Sequence, residues 1–134
     1  MTSKLPVALK VMAAACFAPA VLHGFLGVDA NMFIGIPVPS SGIDPSHDSQ
    51  NRFYGVAFGL YAVLLWMAAF DVKQHAGILR IVFAMVFLSG CARFLSFNAY
   101  GWPSEEVQIL WATEILLPPL LWFWLKRYEA NEVL

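Results

Sequence analysis

The sequence predicts an all-α fold, a transmembrane antiparallel four-helix bundle with both termini in the cytoplasm and a long first outer loop. Three observations lead to this prediction: an apolar excess, four long apolar runs and an asymmetric distribution of Lys and Arg. Of 134 residues, 60% are hydrophobic and only 13% are charged, whereas a soluble domain carries about a quarter charged residues. A chain this short cannot bury such an excess in one water-soluble core. We therefore expect a single membrane domain over residues 1–134.

Four apolar runs are long enough to cross the hydrocarbon layer, which takes about 20 residues in a helix. The predicted spans cover approximately residues 8–28, 52–71, 76–98 and 105–126. The sequence lacks the alternation over segments of about 10 residues that is typical of a membrane β-barrel. Four consecutive spans in one short chain favour helices that run alternately up and down through the membrane.

Lys and Arg lie almost entirely on one side of the predicted bundle. The basic residues of the N-terminal segment, the second connection and the C-terminal tail are Lys4, Lys10, Lys73, Arg80, Lys126 and Arg127. The other two connections are acidic, and Arg52 is their only cation. Because cytoplasmic loops are enriched in Lys and Arg, both termini are expected in the cytoplasm. The net charge of −1 offers no basic field for nucleic acid, so no nucleic-acid partner is expected.

The first apolar run has a second interpretation, since a basic start followed by an apolar stretch is also typical of a cleaved signal peptide. Ala18-Pro19-Ala20 loosely matches a small-residue cleavage site, but proline is unfavourable within such a site. Ala14-Ala15-Cys16 loosely matches a lipoprotein site, but Ala13 stands where a larger aliphatic residue is usual. We therefore expect the first span to be retained.

The first outer connection, residues 29–52, is unusually long, since loops beyond about 12 to 15 residues are uncommon unless they are functional or disordered. It begins with an apolar stretch, Met32–Pro39, that is too short to span and is interrupted by Pro37. One interpretation is a lid over a site that opens to the outer leaflet. The other is an interfacial segment that merely caps the helices, and the sequence slightly favours this cap.

Ionisable residues inside the apolar runs are the main indication of a functional site, because a charge in hydrocarbon is costly and needs a partner. At a rise of about 1.5 Å per residue, Glu114 lies about 12 Å from the outer start of the fourth helix. On the same scale, Arg93 and His23 lie about 8 Å deep, and Arg52 opens the second helix. All four groups fall in the outer third. The sequence therefore predicts one shared polar cluster, with Glu114 paired to Arg93 and Arg52 as a candidate second partner.

Further polar residues lie close to these four along the sequence. The predicted ligand-binding residues are His23, Asn51, Arg52, Tyr54, Arg93, Ser96 and Glu114. Gly55-x3-Gly59 would allow close helix approach, and tight packing is its preferred meaning. His23, His47 and Asp48 lack metal-ligand spacing, so no metal site is predicted, and no motif indicates a cofactor.

Four short motifs of the chain resemble those of one family: Asn51-Arg52-Phe53-Tyr54-Gly55-x3-Gly59, Gly90-x2-Arg93-x2-Ser96, Gly101-x-Pro103 and Glu114. From about the first helix to Trp124, the chain is similar to a bacterial family of small four-helix membrane proteins known only as a domain of unknown function. That family is distantly similar to the DoxX-like proteins. The resemblance implies a multi-pass protein of the bacterial inner membrane and includes Arg52, Arg93 and Glu114 in the family pattern. It supplies no activity, and the first outer loop is longer than expected for the family.

Three functions are compatible with the sequence. The preferred one is binding of an amphipathic ligand, such as a membrane lipid or a quinone-like molecule, at the outer polar cluster. The second is a structural subunit that packs on a membrane-protein partner or on further copies of itself. The third is a membrane enzyme in which Glu114 or His23 does acid–base chemistry. Binding predicts a cavity between helices that reaches Arg93 and Glu114, whereas an Arg–Glu pair can also simply fix the helix register.

Overall fold

The computed structural model describes residues 4–38 and 43–131, most of which form four α-helices and one 3₁₀ helix. The α-helices are α1 (Leu5–Leu26), α2 (Pro45–Ala68), α3 (Ala76–Tyr100) and α4 (Glu105–Asn131), and the 3₁₀ helix covers Gly27–Ile34. No β-strand occurs in the two described ranges. The all-α, four-helix fold predicted from the sequence is confirmed.

The helix boundaries follow the local chemistry of their ends. Helix α2 begins at Pro45 because Asp44 caps it, and the Asp44 carboxylate accepts a hydrogen bond from the backbone N–H of His47 at 2.9 Å. Helices α1 and α3 both end at a glycine with positive φ, Gly27 at +61° and Gly101 at +92°. Side chains other than glycine rarely adopt this backbone conformation, so these glycines terminate the helices.

The first outer connection contains less irregular chain than the sequence predicts. The prediction placed a loop over residues 29–52, but the 3₁₀ helix and the first two turns of α2 occupy more than half of it. Val28 in the 3₁₀ helix is buried, and the following Gly35 lies against Glu106 in the first turn of α4. The early part of the connection therefore packs onto the helices, while residues 39–42 lie outside the described ranges.

The helices pack in two antiparallel pairs, α1 with α2 and α3 with α4. Within the described ranges, all four helices contribute to a core at one end of the bundle, which we call the core end. Its buried residues are Leu5, Leu9, Ala13, Leu65, Ala68, Ala69, Val72, Ala76, Leu79, Val82, Phe83, Leu121 and Leu125. The opposite end, with the 3₁₀ helix and the α3–α4 connection, is the loop end. Because this core contains the start of α1 and the last part of α4, α1 begins and α4 ends at the same end of the bundle.

Three helical segments in the described part of the chain are long and apolar enough to cross a membrane: Leu5–Ile34, Ala76–Tyr100 and Glu105–Ala130. The fourth predicted span, residues 52–71, is not among them, because α2 ends at Ala68 and its first two turns are polar. Helix α2 nevertheless packs directly against α1, so its apolar turns lie beside the first span. The lengths and hydropathy of these segments are those of a helical membrane protein.

Candidate functional site

The first polar group at the loop end joins α1 to α2 around Arg52. Arg52 Nε donates to Asp48 Oδ2 at 2.7 Å, and its Nη1 donates to the carbonyls of Gly24 and Phe25 at 3.2 and 2.7 Å. The other Asp48 oxygen accepts a hydrogen bond from the backbone N–H of Val28 at 2.9 Å. Carbonyls in the last turn of a helix have no intrahelical donor. Arg52 therefore caps the C-terminus of α1, and Asp48 ties the 3₁₀ helix to α2.

His23 lies in the last turn of α1, beside this cap. Its Nδ1 lies 2.6 Å from Asn51 Oδ1 and 3.2 Å from the backbone oxygen of Gly27. Because a backbone carbonyl only accepts, the hydrogen is assigned to Nδ1. Gly55 makes room for this arrangement, since a Cβ built there would overlap the Cβ of His23, and Gly59 also contacts α1 closely. The Gly55-x3-Gly59 motif thus serves tight helix packing, as predicted.

The Asp48 carboxylate makes the cap sensitive to pH. Hydrogen bonds from the Arg52 side chain and the Val28 amide lower the pKa of Asp48 below its ordinary value of 3.8. Such a group stabilises the folded chain above its unfolded pKa, and this stabilisation is lost as the pH falls through the folded pKa. In detergent, we expect the melting temperature to fall more steeply below about pH 4 for the natural chain than for Asp48→Asn, which cannot titrate there. Parallel falls in the two proteins would contradict the assignment.

The second polar group joins α3 to α4 at Arg93 and Glu114. Arg93 Nε donates to Glu114 Oε2 at 2.8 Å, which confirms the pairing predicted from the sequence. Gly90, one turn before Arg93, brings the two helices together, because a Cβ there would meet Ile115 Cδ1 at 2.9 Å and Glu114 Cβ at 3.1 Å. The side chain of Glu114 is 15% exposed and that of Arg93 is 41% exposed. Arg93 is therefore the more accessible member of the pair to a molecule outside the bundle.

Several polar atoms around this pair have no hydrogen-bond partner in the described ranges. The terminal nitrogens of Arg93, Nη1 and Nη2, have no acceptor, and Glu114 Oε1 has no donor, within the ranges the structure describes. Trp111 Nε1, one turn before Glu114 on α4, is buried and also has no partner there. Buried Trp N–H groups and charges in apolar spans usually have one. The surroundings of Arg93 therefore contain more hydrogen-bond donors than the described chain satisfies.

Four aromatic rings lie on the loop-end side of the Arg93–Glu114 pair, and the sequence analysis missed them as a group. Phe94 stacks on Trp111, with ring centroids 6.0 Å apart. Phe97 and Trp102 complete the cluster at centroid distances of 5.6 to 6.1 Å. The sequence does contain an indication of this cluster, because Phe94 and Phe97 follow Arg93 on α3 and Trp111 lies one helical turn before Glu114 on α4. The result is an apolar surface next to a cation.

The structure does not join the two polar groups. Arg52 pairs with Asp48 rather than with Glu114, and no hydrogen bond or ion pair links the groups in the described ranges. The predicted single shared cluster is therefore wrong, because α2 begins earlier than predicted and supplies Arg52 with a partner four residues before it. Tyr54 and Ser96 are exposed and make no hydrogen bond within the same part of the chain.

Two apolar grooves lie nearer the core end. One, of about 400 Å³, runs between α3 and α4, and the other, of about 390 Å³, runs between α1 and α2. Neither groove is lined by Arg93 or Glu114, so neither is the cavity at this pair that ligand binding predicts from the sequence. Among the described residues, no group of three or more His, Cys, Asp or Glu is placed to hold a metal ion.

A comparison with known protein families finds a match that covers nearly the whole chain. Residues 5–125 match the family described as a domain of unknown function, DUF4345. No curated protein and no solved structure matches the chain. Both polar groups, from His23 to Glu114, fall inside the matched range. The chain therefore belongs to the DUF4345 family, whose function is unknown.

Proposed function

We propose that the chain is a small membrane protein that binds an amphipathic, lipid-like molecule at Arg93 and Glu114. The observation that supports this proposal is the Arg93 guanidinium, whose two terminal nitrogens lack acceptors in the described chain although it lies in an apolar helix. Unpaired polar groups in hydrocarbon are costly. A ligand that presents a phosphate, carboxylate or carbonyl oxygen to Arg93 removes this cost.

We place the binding site in the outer third of a bacterial inner-membrane protein. The basic residues near the core end are Lys4, Lys10, Lys73, Arg80, Lys126 and Arg127. Since cytoplasmic segments are enriched in Lys and Arg, the core end faces the cytoplasm and the loop end faces outward in this proposal. On the motifs around Arg52, Arg93 and Gly101, we also regard the family as distantly related to the DoxX-like four-helix proteins.

Glu114 and the aromatic cluster prepare Arg93 for such a ligand. Glu114 binds the Nε of Arg93, which orients the guanidinium and leaves its two terminal nitrogens side by side. This edge can donate two parallel hydrogen bonds to a phosphate or carboxylate. Phe94 and Trp111 offer apolar contact to the body of the molecule, and Ser96 adds a hydroxyl one turn along α3.

The group around Arg52 has a different role in this proposal. Arg52 already donates to Asp48 and to two backbone carbonyls, and His23 is engaged by Asn51. We therefore assign these residues to holding α1, α2 and the 3₁₀ helix together. Tyr54 is exposed near the same group, without a hydrogen bond in the described chain, and is the member of this set with a side chain still available to a ligand.

Arg93→Gln tests the proposal directly. We expect the natural chain, extracted from native membranes in mild detergent, to retain an amphipathic molecule that mass spectrometry of the organic extract detects. Loss of a charge-assisted hydrogen bond costs about 1.5–3 kcal/mol, so Arg93→Gln should retain at least about tenfold less of it per protein.

The matched control is Arg80→Gln. Arg80 forms the corresponding α3–α4 ion pair at the core end, with Glu129, so the variant loses the same charge from a similar pair. We expect it to retain the molecule at the natural level. Equal retention in Arg93→Gln and the natural chain, with a lowered melting temperature, would instead identify the Arg93–Glu114 pair as a lock between helices.

A further inference from the structure

The groove between α3 and α4 is separate from the Arg93–Glu114 pair and lies nearer the core end. Its walls are apolar and include Phe87 on α3 and Pro118 and Trp122 on α4. Lys126 is its one charged lining residue and lies close to the cytoplasmic end of α4 in the proposed orientation. The groove thus combines an apolar trough of about 400 Å³ with a cation at one end.

The charge of Lys126 is not compensated by the described part of the protein. No acidic side chain pairs with it in residues 4–38 and 43–131. The nearest acid along α4, Glu129, is occupied by Arg80, whose Nη2 donates to its two oxygens at 2.7 and 2.6 Å. Arg127, over the ring of Phe123 at 4.4 Å, adds a second positive charge at this end of the groove.

We propose that this groove binds an acyl chain of an anionic phospholipid, with the lipid phosphate paired to Lys126. The apolar trough fits the chain, and the uncompensated cation fits the headgroup. Basic pockets between helices at the cytoplasmic side of a membrane favour anionic headgroups in this way. A choline headgroup would bring a second cation to Lys126 and should therefore bind less well. The site does not depend on the function proposed for Arg93.

The groove between α1 and α2 offers an internal comparison. Its lining includes Phe17 and Trp66 but no charged residue. The neighbouring Lys10 is already engaged by aromatic rings, with its Nζ 4.8 Å from the centroid of Phe70 and 5.9 Å from that of Trp66. Lys10 therefore has the same charge as Lys126 but does not line either groove.

Fluorescence quenching of Trp122 measures occupancy of the α3–α4 groove. The full chain is reconstituted in two kinds of vesicle made of phosphatidylcholine and phosphatidylglycerol. In one kind the phosphatidylglycerol carries brominated acyl chains, and in the other a part of the phosphatidylcholine carries them. Because the chain has five tryptophans, the fluorescence of Trp122 is obtained by subtracting the fluorescence of the matching Trp122→Phe variant from that of each protein. We expect brominated phosphatidylglycerol to quench this signal with about fivefold higher apparent affinity than brominated phosphatidylcholine, as about 1 kcal/mol per basic residue implies.

Variants separate the groove from general surface charge. Lys126→Gln should reduce the preference for phosphatidylglycerol, whereas Lys10→Gln should leave it unchanged. Ala84→Leu, which adds bulk to the groove wall, should reduce quenching by both lipids. Equal quenching by the two lipids in the natural chain, or equal loss of preference in Lys10→Gln and Lys126→Gln, would overturn the proposal.

Discussion

Gly27→Ala is expected to destabilise the folded chain by about 3 kcal/mol. The glycine has φ +61°, and a strained backbone conformation costs of order 1–3 kcal/mol in a residue with a side chain. A Cβ at this position would also overlap the carboxylate of Asp48. Asp48 would have to leave both the Val28 amide and Arg52, so the hydrogen bonds that tie the 3₁₀ helix to α2 would be lost as well. Thermal and denaturant unfolding of the purified protein in detergent measures the loss.

Gly101→Ala is the matched control for Gly27→Ala. Gly101 also has positive φ, +92°, but a Cβ there would meet nothing within 4 Å. Its replacement therefore introduces backbone strain without a side-chain overlap and should cost less stability than Gly27→Ala. A similar loss in the two variants would show that the network of Asp48 and Arg52 contributes little to stability.

Gly55→Ala is expected to be the second most damaging of these substitutions, at about 2 kcal/mol. A Cβ at Gly55 would overlap the Cβ of His23, which is attached directly to the α1 backbone and cannot rotate away. The helices must therefore separate, and overpacking of this kind costs about 1–3 kcal/mol. Separation would also lengthen the hydrogen bond from His23 to Asn51, so the melting temperature should fall and proteolysis of the 3₁₀ helix should rise.

Gly77→Ala, on α3, is expected to stabilise the folded chain, in contrast to Gly55→Ala on α2. A Cβ at Gly77 would meet nothing within 4 Å, so alanine should stabilise α3 by about 0.5 kcal/mol through its lower conformational entropy when unfolded. Gly55→Ala and Gly77→Ala make the same chemical change in an α-helix. If they changed stability in the same direction, the close contact of α1 with α2 would not be the cause.

The Arg93–Glu114 pair could be predicted because its two residues lie at similar depths on consecutive helices. Consecutive antiparallel helices place residues counted from the same membrane face at similar levels, and Arg93 and Glu114 lie on consecutive helices. Gly90 then narrows the distance between these helices. The pairing therefore follows from hydropathy and helix length, which can both be estimated from the sequence.

The partner of Arg52 could not be inferred in the same way. Depth placed Arg52 near Arg93 and Glu114, but depth does not indicate which of two helix pairs a side chain faces. The sequence pattern predicts a loop over the polar residues from Asp44 onward, whereas Asp44 caps a helix that begins at Pro45. This boundary concealed the pair of Asp48 with Arg52 at a spacing of four residues, a spacing that brings helical side chains together.

Hydropathy and charge along the chain are sufficient to predict a membrane protein of four helices and the Arg93–Glu114 ion pair, because these features follow from local composition and helix rise. The cap of α1 by Arg52 and the groove at Lys126 required three-dimensional coordinates. Arg52 reaches carbonyls 27 and 28 residues away in the chain, and the groove forms between side chains of two helices. Such contacts depend on the orientation of each helix about its axis and on the distance between helices. Neither can be inferred from the sequence pattern.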